Sequence, residues 1–421
     1  MTGSGVEYTM KEKQNKINRR NFLKTVGATG LGSVFASADS MAEQSPTEAA
    51  DKAKKPKYPQ VPKRKLGKTG IKLPCLCLGG NQDLIANQIV LRMAPRWGVI
   101  YWDSAYNYVG GNSEIGIGNY LTKNPKMRKQ LFITSKASDT KTIEQVEERL
   151  QTSLKRMKTD YIDLYYGYHK CSNPAVLTNE LKEWAESAKK RKLIRHFGIS
   201  THQNMADVLA AAAKLDWIEV VMTIYNFRLM QDKKLNAAID ACHKAGKGIM
   251  AIKTLGMGQK IKTEEDKKLV EHFLQRDFTK EQAKIKAVLQ DKRITAVCVG
   301  MKNIRELTSN VAAALDKTQL TGADTRALTE YARATCDGYC AGCANICNSA
   351  LQNTAYISDI MRYLMYFKSY GEHDEARKLF AQIPANVRNK LLSTDFTPAE
   401  DRCPQHLPIG SLVAEAVTKL T

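Results

Sequence analysis

The chain has 421 residues, with 64 Lys and Arg against 43 Asp and Glu, a formal charge of +21, and ten cysteines. That length exceeds one small domain and leaves room for a large buried core. The basic residues are interleaved with acids rather than gathered into a stripe, so the charge reads as a solvated surface and argues against nucleic acid as a partner; residues 1 to 68 hold 14 of the positive and 6 of the negative charges.

Near the start, Asn18-Arg19-Arg20-Asn21-Phe22-Leu23-Lys24 precedes a mildly apolar, Gly- and Ala-rich stretch from Thr25 to Ala38. The pattern looks like a twin-arginine export signal over residues 1–42, with small-residue cleavage positions after Ala38 or Ala42. A stable membrane span takes about 20 apolar residues, and this stretch is shorter and weaker. The expectation is a periplasmic protein delivered by the twin-arginine translocase. Residues 43–60, rich in Ala, Lys, Glu and Pro, read as a flexible linker.

From Leu66 to Leu73, glycines punctuate short alternating runs and predict a small hairpin. Eight apolar runs follow, separated mostly by helix-length amphipathic segments: Cys75 to Leu78, Val99 to Trp102, Leu131 to Thr134, Ile162 to Tyr166, His196 to Ile199, Ile218 to Ile224, Ile249 to Ile252 and Ala296 to Val299. Short buried strands alternating with helices predict parallel pairing with right-handed crossovers. Eight repeats favour a closed (β/α)8 TIM barrel over residues 61–323, with its site at the C-terminal ends of the strands. After Leu320 the pattern turns helical, and residues 324–421 are expected to form a small, mostly helical, Cys-rich unit.

Asp103, Lys136 and His169 close successive strand candidates, and Tyr108 lies five residues after Asp103. Asp, Tyr, Lys and His at one rim form a proton-donating set for a carbonyl. In these four residue types and their order the chain resembles the aldo/keto reductase family. The resemblance implies Tyr108 as proton donor, Lys136 as the cation that acidifies it, Asp103 as the carboxylate holding Lys136, and His169 as a hydrogen-bond donor to the substrate oxygen. Tyr106, one strand period away, is the competing phenol, and the family spacing selects Tyr108. Ser113-Glu114 and Gly116 also match the family. Asp163 to His169 spans six residues where relatives commonly have five, so a bulge near Gly167 is needed to bring the ring back to the rim.

The resemblance further places Ser200, Thr201, Met222, Tyr225, Lys253, Leu255, Gly300, Lys302, Glu306 and Asn310 at cofactor-facing positions. NADP is the implied cofactor, with NAD left open because Glu306 stands where relatives have Arg or Gln. Met222 and Thr201 replace a common Gln and Asn. The expected substrate is a small aldehyde, ketone or alcohol. The competing reading, from another class, is a catalytically degenerate barrel acting as a metal-stabilised binding or electron-transfer protein.

Five of the cysteines crowd the last quarter: Cys336, Cys340, Cys343, Cys347 and Cys403, the last followed by Pro404. Short Cys spacing with a remote Cys-Pro is a ferredoxin-like arrangement for an iron-sulfur cluster. The family has a branch with such a C-terminal domain, which implies one 4Fe-4S cluster held by Cys340, Cys343, Cys347 and either Cys336 or Cys403, and with it a redox partner. Zinc and structural disulfides compete for the same thiols. Cys75, Cys77, Cys171, Cys242 and Cys298 read instead as buried apolar residues.

Overall fold

The computed structural model describes residues 58–256, 264–335, 339–352 and 355–421. The leader over residues 1–42, most of the linker and Cys336 lie outside the described residues. The chain meets the barrel from Tyr58, whose ring packs edge-on against Trp97.

Strands β1 (Lys63–Lys65) and β2 (Lys72–Pro74) form an antiparallel hairpin, with Arg64 opposite Leu73. The turn places Leu66, fully buried, beneath the barrel; a side chain on Gly248 would meet Leu66 Cδ1 at 2.4 Å. Gly67, at φ +53°, passes so close to Gly246 that a Cβ would stand 2.2 Å from its carbonyl oxygen. Only glycine tolerates both that conformation and that approach.

Eight parallel strands close the barrel: β3 (Leu76–Gly79), β4 (Tyr101–Asp103), β5 (Phe132–Lys136), β6 (Ile162–Tyr166), β7 (Ile194–Thr201), β8 (Val220–Ile224), β9 (Gly248–Ile252) and β10 (Ala296–Gly300), with β10 pairing back onto β3. Almost every strand residue is buried, because the inner face meets the barrel core and the outer face meets helices. That two-sided burial is why the strands appear in the sequence as unbroken apolar runs. Cys75, Cys77, Cys171, Cys242 and Cys298 are buried among them.

Two helical groups lie outside this core. Helix Gly322–Ala334 packs Leu328 and Tyr331 against Phe227, Leu269, Phe273 and Phe278, so it belongs with the helices around the barrel. A separate apolar cluster runs from Cys347 through Ile357, Ile360, Met361, Leu364, Phe380, Phe396 and Cys403 to Val413 and Leu420. It is built by helices Ala344–Ala350, Ile357–Met365, His373–Ala381, Thr397–Arg402 and Ile409–Leu420. No helix among the described residues is long and apolar enough to cross a membrane.

Candidate active site

Neighbouring barrel strands carry Asp103 and Lys136 to the rim, Asp103 opposite Thr134 and Lys136 two residues further along. Lys136 is fully buried, and its Nζ donates to both Asp103 carboxylate oxygens and to the Ser104 carbonyl, each at 2.7 Å. The same ammonium stands 3.2 Å from Tyr108 Oη. Thr134 Oγ1 donates to Asp103 Oδ1 at 2.9 Å, so the carboxylate is held from a second side. The structure therefore gathers Asp103, Lys136 and Tyr108 into one constellation.

Tyr106 goes elsewhere. The guanidinium carbons of Arg149 and Arg156 lie 4.3 and 4.6 Å from its ring centroid, and Arg156 Nη1 donates to its carbonyl at 2.7 Å. Arg156 also reaches Glu114 Oε2 at 3.1 Å, while Ser135 Oγ donates to Glu114 Oε1 at 2.5 Å. The fully buried Glu114 thus ties helix Asn112–Lys123 to β5, and Arg156 pins the loop that carries Tyr108. Gly116, on that helix, has Leu84 against it, where a Cβ would stand 2.3 Å from backbone carbon. Gly116→Ala is expected to cost about 1–3 kcal/mol by overpacking, read as a lower midpoint in denaturant unfolding; an unchanged midpoint would show that the Leu84 loop yields freely.

The phenol itself behaves differently from the sequence expectation. Burial raises the Tyr108 pKa well above 10, and the Asp103 carboxylate raises it further. Asp103 offsets the charge of Lys136, so the ammonium does not acidify the resting phenol. Tyr108 keeps its proton at neutral pH and is poised to give it away only when negative charge develops beside it.

Strand β6 ends at Tyr166 and the chain bends at Gly167, where a Cβ would press on Phe197 at 2.6 Å. This break resets the side-chain direction, and His169 arrives with its ring 5.4 Å from that of Tyr108. Asn107 Nδ2 donates to Asp139 at 3.3 Å, and Asn107 Oδ1 accepts from Ser138 Oγ at 2.9 Å. Ser138 Oγ in turn stands 2.8 Å from His169 Nδ1, so the two loops hold the ring in place. Burial, then Lys136, Lys170 and Lys253, push the His169 pKa well down, so the ring is neutral.

The expected cofactor positions divide into groups. Ser200 is fully buried at the end of β7, and its Oγ meets no partner among the described residues, an orphaned hydroxyl of the kind a carboxamide would satisfy. Thr201 Oγ1 donates to the Gln203 carbonyl at 2.9 Å, and Met222 is buried opposite Ser200 on β8. Lys253 follows β9 at φ +53°, and Leu255, two residues on, is half-buried. Gly300 has open space where a side chain would stand, which admits close backbone approach by a ligand. Asn310 Nδ2 donates to the Gly300 carbonyl at 3.3 Å. Glu306 is engaged locally, accepting from the Lys302 backbone at 2.8 Å and from Asn303 Nδ2 at 3.0 Å. Tyr225 does not join them: its hydroxyl donates to Asp291 at 2.8 Å and accepts from Arg293 at 3.1 Å, in a network with Asn236 of the surrounding helices.

Cys340, Cys343, Cys347 and Cys403 line one small cavity, whose other walls include Ile346, Ile357, Met361, Leu407 and Ile409. All nine described cysteines carry free thiols. Among the described residues, no group of three or more His, Cys, Asp or Glu is arranged to hold a single metal ion.

The helix lining that cavity also crosses the barrel mouth. Ile357, Ile360, Met361 and Leu364 face the second core, whereas Ser358 and Arg362, spaced four apart, meet the barrel; Tyr366, four further on, packs on the second core and also reaches the barrel. Gln203 Nε2 donates to Ser358 Oγ at 3.1 Å, Arg362 Nη2 donates to the His202 carbonyl at 2.7 Å, and Lys253 Nζ stands 4.9 Å from the Tyr366 ring centroid. Glu372, just beyond, accepts from Asn81 Nδ2 after β3 at 3.4 Å. Sequence reading missed this contribution to the mouth. The signal was present as a polar stripe at helical spacing inside an apolar helix.

A closed parallel barrel with a buried carboxylate and ammonium and a half-buried phenol at its C-terminal rim is an architecture of barrel enzymes. The chain belongs to the aldo/keto reductase family, whose profile matches residues 79–332. It is 29% identical over 220 residues to the Schizosaccharomyces pombe protein named Aldo-keto reductase yakc [NADP(+)]; the match covers 47% of this chain and 62% of that protein's length. A crystal structure of a thermostable aldo-keto reductase with the inhibitor epalrestat covers 64% of this chain and 99% of its own, at TM-score 0.53 and 23% identity. The holo form of an aldo-keto reductase from Bacillus halodurans covers 65% and 96%, at TM-score 0.55 and 20% identity. At those identities the likeness concerns the fold.

Proposed function

We propose that this protein is an NADP-dependent oxidoreductase that reduces an aldehyde or ketone, or oxidises the corresponding alcohol. The observation that carries the reading is Lys136 Nζ, bonded to both oxygens of Asp103 and standing 3.2 Å from the Tyr108 hydroxyl. NADP is taken from the name of the fission-yeast relative, and Ser200, Thr201, Met222, Lys253, Leu255, Gly300, Lys302, Glu306 and Asn310 are the residues that would hold a nicotinamide dinucleotide. When bound, that cofactor supplies hydride to the carbonyl carbon. Tyr108 Oη donates its proton to the carbonyl oxygen as charge builds there, and the ammonium of Lys136 stabilises the phenolate left behind. Because Tyr108 rests protonated, reduction is served at neutral pH, and the reverse reaction, which needs the phenolate, rises with pH. Oxidation of NADPH by the purified protein on adding an aldehyde tests the reading, and lack of oxidation across aliphatic and aromatic aldehydes and ketones counts against it.

The reading extends to the C-terminal unit and to the leader. One 4Fe-4S cluster is proposed at the cavity lined by Cys340, Cys343, Cys347 and Cys403, because four thiols meet there and the spacing of the first three, with a remote Cys-Pro, is ferredoxin-like. The twin-arginine pattern at Arg19-Arg20 supports export of the folded, loaded protein to the periplasm, where a redox partner would recharge a retained nucleotide. Anaerobically purified protein is expected to be brown and to contain about four iron and four sulfide per chain. Cys403→Ala is expected to lose both with the visible absorbance. One zinc per chain without sulfide would replace the cluster by a structural metal.

A further inference from the structure

The barrel mouth gathers positive charge. Lys170, exposed, follows His169, Lys253 follows β9, and Arg362 reaches over from the helix above; the charges of all three bear on His202, and the two lysines also bear on His169. Burial and those neighbours hold both histidines neutral. Arg362 is 6% exposed, and its Nε meets no acceptor among the described residues. The facing anion is Glu372, half-buried, whose carboxyl burial pushes up. Like charges brought together at one rim are costly alone and favour a bound anion.

We propose that the mouth, between the Tyr108 phenol and the turn at Tyr366, binds an anionic group of the substrate against Arg362, Lys170 and the Tyr366 hydroxyl, so that the enzyme selects carboxylated over neutral carbonyl compounds. This rests on the reading of the rim as a carbonyl-reducing site. The subsite is incomplete without the C-terminal unit, which supplies Tyr366 and Arg362 from one helical face and brings Tyr366 to Lys253 through a π-helical turn, Tyr366–Tyr370. Such turns recur where a side chain must be aimed at a site.

Tyr366 gives the subsite a pH signature. Burial raises its phenol, but Lys253, Lys170 and Arg362 outweigh burial and bring it down to about 8, with Glu372 opposing them. The other phenols within reach, Tyr108 and Tyr363, are both pushed up. Above pH about 8 a Tyr366 phenolate stands in the subsite and repels the substrate's anion.

Calorimetry on the full-length, nucleotide-loaded protein tests this without turnover, using benzoate and the neutral benzamide as probes. Benzoate is expected to bind about tenfold more tightly at neutral pH. Its affinity should fall as pH rises through about 8 in the wild type, and that fall should vanish in Tyr366→Phe. Lys170→Met should weaken benzoate and leave NADPH affinity in place. Equal binding of the two probes overturns the proposal, as does a loss of benzoate affinity in Lys170→Met that only tracks a loss of NADPH affinity, which would assign the cations to the cofactor's phosphates. Kinetics with para-carboxybenzaldehyde and para-tolualdehyde separate the two readings: if neither is reduced the reductase reading fails, while benzoate binding still decides the subsite.

Discussion

Tyr108→Phe is expected to lower carbonyl reduction by about a hundred- to ten-thousandfold, the usual range for a positioned general acid, while NADPH binds as before. The substitution removes one oxygen. Its ring remains edge-on to His169, at the 5.4 Å centroid separation seen here, and Lys136 keeps its three 2.7 Å bonds to Asp103 and Ser104. Loss of activity would therefore report proton transfer and not collapse of the site. The measurement is single-turnover oxidation of bound NADPH by an aldehyde, alongside a fluorescence titration of the nucleotide. A Tyr108→Phe protein that reduces the aldehyde at the wild-type rate would sink the assignment, and Tyr106 could not replace it, since that ring is packed against Arg149 and Arg156.

The barrel and the core of its site were legible in the sequence for one reason. A strand covered on both faces leaves an unbroken apolar run, and a charged residue at the end of such a run, as at Asp103 or Lys136, stands out. Legibility stopped where regular alternation stopped. Tyr225 lies one residue beyond β8, and nothing in its spacing told that its hydroxyl turns to Asp291 and Arg293. Helix Gly322–Ala334 read as the start of the second unit, because composition cannot say which of two neighbouring cores an amphipathic face will join. The state of Tyr108 depended on a balance: Lys136 alone would acidify the phenol, and the two short bonds to Asp103 that offset it are a fact of distance. The hold on the His169 ring likewise comes from Asn107, Ser138 and Asp139, three residues on two loops that no motif joins.

The buried pair beneath Tyr108 should separate stability from activity. Lys136 is 0% exposed and Asp103 is 2% exposed, so removing either partner strands the other's charge away from water. Asp103→Leu and Lys136→Met are each expected to cost about 3–5 kcal/mol of unfolding free energy. Asp103→Leu leaves the ammonium with only the Ser104 carbonyl and the Tyr108 hydroxyl; Lys136→Met leaves the carboxylate with Thr134 Oγ1. The double variant removes both charges and keeps similar volume, so it should be more stable than either single variant, with a coupling of the sign that a double-mutant cycle assigns to a mutually compensating pair. Its carbonyl reduction should nevertheless stay as low as in the single variants, because no cation remains to stabilise the Tyr108 phenolate. Denaturant unfolding of the four proteins, with single-turnover rates on the same samples, checks both halves. Strict additivity of the two stability losses would mean that each side chain is held by packing alone, and recovery of activity in the double variant would remove Lys136 from the chemistry.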